Sequence, residues 1–182
     1  MEMLVGIGLI ALVLFVGVGI YNRLVGLRQK CRQGMADIDA QLRQRHDLIP
    51  NLVSTVKGYA SHEQATFEQV IAARNRAETA PGADSEAQLA GAMKNLLALG
   101  EAYPELKASA NFQALQGELA DVEDKLAAAR RALNAASANY NTARESFPAV
   151  LFAAPLGFQP FEFHQLAADE RATVGAVPNV QF

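Results

Sequence analysis

The pattern of apolar and polar positions changes character twice along this chain. From Met3 to Tyr21 it reads MLVGIGLIALVLFVGVGIY, without a charged residue. At ~1.5 Å per residue the run spans about 28 Å, close to the ~30 Å hydrocarbon core of a bilayer. In lipid every backbone amide must be bonded internally, so the run is predicted to be a transmembrane helix. Tyr21 stands where an interfacial aromatic belongs. A cleaved signal peptide would need a basic leader and a small-x-small cleavage site. Only Met1 and Glu2 precede the run, and it closes on Val18-Gly19-Ile20-Tyr21-Asn22, so an uncleaved anchor is the expectation.

Beyond the span, apolar residues recur at helical spacing. Leu24, Leu27, Cys31, Met35, Ile38 and Leu42 step by 3, 4, 4, 3 and 4, which is one stripe of a helix continuing from the anchor. Arg45–Val53 then reads RHDLIPNLV. Pro50 lacks an amide donor and crowds the preceding turn. Two outcomes are open. The helix kinks and continues, because Ile49, Leu52, Val56 and Tyr59 keep the earlier phase. Alternatively Asp47 caps a new helix with Pro50 in its tolerated first turn, and the chain reverses. The absence of glycine favours the kink and the Asp cap favours the break; the balance falls slightly on the break.

A second helix is predicted to run to about Glu78, with Leu52, Val56, Tyr59, Phe67, Val70 and Ile71 as its core. Thr79–Ser85 (TAPGADS) has turn composition. A third helix covers Glu86 to about Glu101, with Leu89, Met93, Leu96 and Leu97 inward, and Tyr103-Pro104 ends it. The fourth helix has the most regular stripe. Phe112, Leu115, Leu119, Val122, Leu126, Ala129, Leu133, Ala136, Tyr140, Ala143 and Phe147 follow at steps of 3 and 4. Asn111 can cap it and Pro148 stops it. Such a stripe packs in an antiparallel bundle or a coiled coil. The fold class expected is therefore all-α: an N-terminal transmembrane helix followed by an antiparallel, up-and-down bundle of four long helices.

After Pro148 the periodicity fails. Phe152, Phe158, Phe161 and Phe163 lie among Pro155, Gly157 and Pro160. These rings are expected to dock on the bundle, on a partner or at the membrane surface. The division expected is an anchor over residues 1–22, a helical domain over 23–148, and an irregular then flexible tail over 149–182.

Charge adds orientation. Arg23, Arg28, Lys30 and Arg32 follow the span before any acid appears, and no Lys or Arg precedes it. The positive-inside rule then places the N-terminus outside and the helical domain in the cytoplasm. The net charge of -3 provides no basic field for nucleic acid. The single cysteine, Cys31, excludes an intrachain disulfide and sits on the first stripe as a small core residue.

Candidate chemistry is sparse. His46 precedes Asp47 and His62 precedes Glu63, but adjacent residues diverge by ~100° on a helix, so neither pair forms a ready site. Glu118, Asp121, Glu123 and Asp124 read as a solvated face, with Asp121 and Lys125 as an i,i+4 pair. Zinc-protease, phosphate-loop, nucleophile-elbow and CxxC motifs are absent from the sequence. No catalytic residue, metal ligand, cofactor or small-molecule substrate is expected.

Several stretches resemble the LemA family: YNRLVGLR (Tyr21–Arg28), IDAQLRQRHDLIPNLVSTVKGYASHE (Ile38–Glu63), NLLALGEAYPELKA (Asn95–Ala108), NFQALQGEL (Asn111–Leu119) and ARRALNAASANYNTARESFP (Ala129–Pro148). The resemblance implies a helical bundle behind an N-terminal anchor in a bacterial cell (inner) membrane. It supplies no enzymatic activity and no catalytic residues. Genes of the family often neighbour membrane metallopeptidases, which hints at partners. The expected function is a membrane-anchored, non-enzymatic scaffold that self-associates and presents a helical surface to membrane proteins. The alternatives are an adaptor of a membrane enzyme, such as a metallopeptidase, and an unrecognised membrane enzyme or receptor.

Self-association has a candidate mechanism. Gly6 and Gly17 are eleven residues apart, as are Gly8 and Gly19, so each pair shares one helix stripe. The two stripes lie about 200° apart and let neighbouring backbones approach on both sides. Two faces favour a ring or filament over a dimer. Leu115, Leu119 and Leu126 of the fourth helix are expected to assist. Replacing Gly6, Gly8, Gly17 and Gly19 with Leu should shrink the particle sized by light scattering in mild detergent. A monomeric wild type, or an unchanged mutant, would count against the glycine faces.

Overall fold

The apolar stripes become helices. A computed structural model describes residues 1–161, so Phe163 and the flexible tail expected after it lie outside the described residues. The elements are α1 (Glu2–Lys57), α2 (Gln64–Thr79), α3 (Ala83–Ala102), α4 (Pro104–Lys107), α5 (Ala110–Glu145) and α6 (Val150–Ala153). Among the described residues there is no strand, so the fold is all-α, with four long helices and two single turns. The described residues divide into two compact units, one of residues 1–39 and 127–161, the other of residues 40–126.

In the first unit, α1 and α5 run antiparallel. Gly34 lies against Leu133, where an added Cβ would stand 3.2 Å from the Leu133 Cβ. Three residues earlier Cys31 meets Ser137, four residues later on α5. Leu24, Cys31 and Ile38 are buried on one side, and Leu133, Ser137, Tyr140 and Ala143 on the other. Ser137 is fully buried, and its hydroxyl donates to the Leu133 carbonyl at 2.9 Å. Met35, expected on the stripe, is 50% exposed because Gly34 holds the inward position beside it. Phe147 is 81% exposed, since α5 ends at Glu145 and the helical phase ends with it. Burial pushes the Cys31 thiol above its ordinary range, against a hydrogen bond with Ser137 that lowers it.

The core of the second unit gathers Ile49, Leu52, Val53 and Val56 from α1 with Phe67 and Val70 from α2. Leu89, Met93 and Leu96 of α3, Leu106 of α4, and Phe112 and Leu119 of α5 complete it. α2 and α3 form a hairpin through Ala80-Pro81-Gly82. Ala80 is driven out of the helical region (φ -134, ψ 70) by the proline that follows. The Ser85 hydroxyl ties this turn by donating to the carbonyls of Ala80 and Gly82, at 2.8 and 3.0 Å. Tyr103-Pro104 does end α3, and Pro104 opens α4 at a position where no amide is missed. Gly100 permits a close approach: a Cβ there would fall 2.7 Å from the buried Phe112 ring.

The expected break before Pro50 does not occur. α1 continues through it to Lys57, and the chain reverses over residues 58–63 instead. Leu52 and Val56 therefore belong to α1, and Tyr59, beyond its end, is 44% exposed. The physical reason is visible at the carbonyl that Pro50 deprives of its donor, that of His46 four residues back. Arg74 of α2 donates its Nε–H to this carbonyl at 3.0 Å. With that acceptor satisfied, the apolar phase carries the helix on.

Arg74→Met should then cost about 1–3 kcal/mol, the penalty for stranding a partly buried acceptor. In a Pro50→Ala background the new amide takes the His46 carbonyl, and the same substitution should cost much less. The exposed ion pair of Arg74 with Glu78, at 2.8 Å, is lost in both backgrounds and cancels. Denaturant unfolding of the four proteins in detergent measures the coupling, and equal losses in both backgrounds would refute it.

Candidate functional site

Two clusters of polar and aromatic side chains stand out, one in each unit. The first lies where the apolar span of α1 gives way to charged sequence. No residue of the most apolar eighteen-residue stretch of α1 is buried by protein. α1 is the one described helix long and apolar enough to cross a membrane. Gly6, Gly8, Gly17 and Gly19 have no neighbouring atom within 4 Å of an added Cβ. Tyr21, Arg23, Lys30 and Arg32 are exposed, and Arg28 is half-buried.

Over this junction the chain after α5 folds back. Its segment closes with a Schellman turn: the Phe158 amide donates to the Ala153 carbonyl (2.9 Å) and the Gly157 amide to that of Ala154 (3.0 Å). Gly157 has φ +76, the left-handed conformation such turns require. The turn sends the Phe158 ring inward, where it is 1% exposed. It meets the Tyr21 ring edge-on at 5.5 Å, and the Arg28 guanidinium lies 4.9 Å from its centroid. These are the preferred geometries for an aromatic pair and for a cation over a ring.

The extended residues that follow are latched to α5 through their backbone. Arg144 donates Nε–H to the Phe158 carbonyl at 2.8 Å, and Tyr140 donates its hydroxyl to that of Gln159 at 2.8 Å. Asn141 and Phe161 bond twice, amide to carbonyl each way, both at 2.9 Å. The Phe161 ring stands edge-on to Tyr140 at 6.5 Å. Burial pushes the Tyr140 phenol above its usual range, while the charges of Arg28 and Arg144 pull it down. The phenol thus stays neutral and remains a donor. Phe152, by contrast, is 45% exposed.

The second cluster lies inside the other unit. Arg45 and His46 of α1 and Glu86 of α3 are each more than nine-tenths buried. The Arg45 guanidinium donates to Glu86, and its other nitrogen donates to Glu123 of α5 at 2.8 Å. The His46 Nε2 lies 3.1 Å from the Glu86 carboxylate. The partners in this network are distant in sequence, so neither the His46-Asp47 adjacency nor the solvated face of Glu123, which is indeed half exposed, points to it. A signal was available. Arg45 continues the spacing Ile38, Leu42, Arg45, Ile49, Leu52, and Glu86 that of Leu89, Met93 and Leu96. Opposite charges at two apolar-phase positions announce a buried pair.

Leu119 and Leu126 are buried within the chain and Leu115 packs half-buried against the core. Their surfaces are therefore occupied internally. Among the described residues no group of three or more His, Cys, Asp or Glu side chains is arranged to hold a metal ion.

Residues 34–182 match the LemA family over most of the chain. This chain belongs to the LemA family. It is also similar to the magnetosome protein MamQ of Magnetospirillum gryphiswaldense, 23% identical over 202 aligned residues that cover 93% of this chain and 74% of that protein. Family membership and the uncovered apolar span together make this LemA chain a membrane-associated protein.

The latch gives a stability test. Gly157→Ala should cost about 1–2 kcal/mol, because a Cβ is strained at positive φ. Gly157→Asn should be milder, since Asn enters the left-handed region more readily than other residues. Phe158→Ala should cost about 3–5 kcal/mol. Unfolding in detergent followed by circular dichroism ranks the three. An Asn variant as damaged as the Ala variant would show that the backbone conformation is not what matters.

Proposed function

We propose that this LemA-family chain is a non-enzymatic, membrane-anchored scaffold. It crosses the bilayer once, holds its helical part in the cytoplasm, and presents helical surfaces to membrane proteins and to further copies of itself. One observation carries the reading: α1 is a single helix whose stretch Met3–Tyr21 is uncharged and not buried by protein and whose last part belongs to a folded core. The basic run Arg23, Arg28, Lys30 and Arg32 at the exit of the span supports a cytoplasmic helical part. The open glycine faces of the span support self-association. An adaptor of a membrane enzyme is the second reading. A groove of about 410 Å³ supports it, lined by Ile49, Pro50, Val53, Ser54, Lys57, Ile71 and Arg74.

Alkaline carbonate washing tests the anchor: the full chain should stay with the membrane, and release into the wash would refute it. Orientation is read from Asp84→Cys, at an exposed position, in a Cys31→Ala background. The new thiol should resist an impermeant maleimide in intact cells and label after permeabilisation. Labelling in intact cells would reverse the topology.

A further inference from the structure

The latch that seats Phe158 leaves an apolar surface behind it. Between the end of α5 and Gly157, Phe147, Val150, Leu151, Phe152 and Leu156 are 45–81% exposed. Two small residues of the same turn, Ala149 and Ala153, are buried instead. The turn is thus amphipathic in reverse, with its small side chains inward and its large apolar ones outward. From Ser146 to Phe161 there is no charged residue. A surface of this composition is not a solvated loop.

Its position limits what can cover it. Phe158 lies against Tyr21, the last residue of the uncharged span, with ring centroids 5.5 Å apart. Tyr21 has the place of an interfacial aromatic. The segment that ends on Phe158 is therefore held at the level where α1 leaves the bilayer, and its apolar surface continues that of the span. We propose that residues 147–156 form a second membrane contact, a peripheral turn that lies in the headgroup and upper acyl region of the membrane crossed by α1. This rests on the reading of α1 as an anchor. Its occupant is lipid, because the patch is uncharged and continues the apolar surface of a span whose surroundings are the bilayer. Insertion asks little of the backbone, since the turn already bonds its own amides: Val150 to Ser146, Ala153 to Ala149, Leu156 to Phe152. Two attachments to one bilayer, the span and the turn, would also fix how the helix pair is tilted and rotated about the membrane normal.

The chain contains no tryptophan, so single substitutions report without background. Leu151→Trp and Leu156→Trp place the probe on the exposed turn. Phe15→Trp places it within the span. Each full-length variant is reconstituted in phosphatidylcholine–phosphatidylglycerol vesicles containing lipids brominated either near the headgroup or near the chain ends. All three positions are exposed, and circular dichroism confirms that each variant is folded. The turn probes should lose about half their emission to the shallow bromines and less to the deep ones, because an interfacial segment buries only ~5–10 Å. The Phe15→Trp probe should show the opposite preference. If it is quenched while both turn probes are unquenched and open to iodide, the turn faces water and the proposal fails with the anchor intact. Turn probes unquenched by lipid yet shielded from iodide would assign the surface to a second copy or another protein, which also overturns it. An unquenched Phe15→Trp would remove the anchor itself.

Discussion

A proline at the forty-ninth position of a 56-residue helix would ordinarily end it. The helix survives because the carbonyl orphaned by Pro50 is bonded by Arg74 from α2. Much else follows from that contact. It keeps Ile49, Leu52, Val53 and Val56 on the same helix as the apolar span, and it supplies four of the core residues of the second unit. It also sets where the chain turns, so that the reversal falls in the Gly58–Glu63 stretch and α2 begins at Gln64. The tertiary contact and the local geometry depend on each other: Arg74 reaches the carbonyl because α2 packs there, and α2 shares a core with Ile49 and Val53 because α1 stays helical through Pro50.

The buried charges near the same place obey a different logic. Arg45, His46 and Glu86 would be expensive to bury singly, and are tolerable because each finds a partner. Such a network adds little net stability compared with an apolar replacement of similar shape. Its effect is on register. A sliding helix could still bury Leu against Leu, but it would separate a guanidinium from its carboxylate. Removing Glu86 alone would take away the buried partner shared by Arg45 and His46 and leave Arg45 only Glu123, whose side chain is half exposed.

The fold class was legible because apolar spacing is a local property. The stripe on α5 and the uncharged run before Tyr21 each predict an element without reference to the rest of the chain. The helix expected between the Asn111 cap and Pro148 is observed as Ala110–Glu145. What the spacing could not resolve depended on partners distant in sequence. Pro50 reads as a break until Arg74, twenty-four residues on, is known to face it. Glu123 is half exposed, as its solvated face predicts, but its ion pair with Arg45 depends on a helix position 78 residues away. Phe147 keeps the stripe's arithmetic and yet is exposed, because Pro148 ends the helix that would have turned it inward. In the Phe-rich segment, composition identified rings in need of cover. It could not say that Gly157 would turn one of them under Tyr21 and leave Phe152 outside.

The hydrogen bonds that hold the segment after Gly157 all involve its main chain. Arg144, Tyr140 and Asn141 recognise the carbonyls of Phe158, Gln159 and Phe161, and one amide, rather than their side chains. Such a grip is indifferent to identity and sensitive to shape. Gln159 could be exchanged for many residues without loosening it. Gly157 and Phe158 could not, the first because of its backbone angle and the second because of the pocket it fills. On the other side of the contact the freedom is inverted: three polar residues of α5 must stay as they are, although two of them, at Asn141 and Arg144, would pass for ordinary surface positions. Substitution should therefore be tolerated at Gln159 in the irregular segment and costly at Asn141 and Arg144 on the helix, the reverse of what a comparison of regular and irregular structure would suggest.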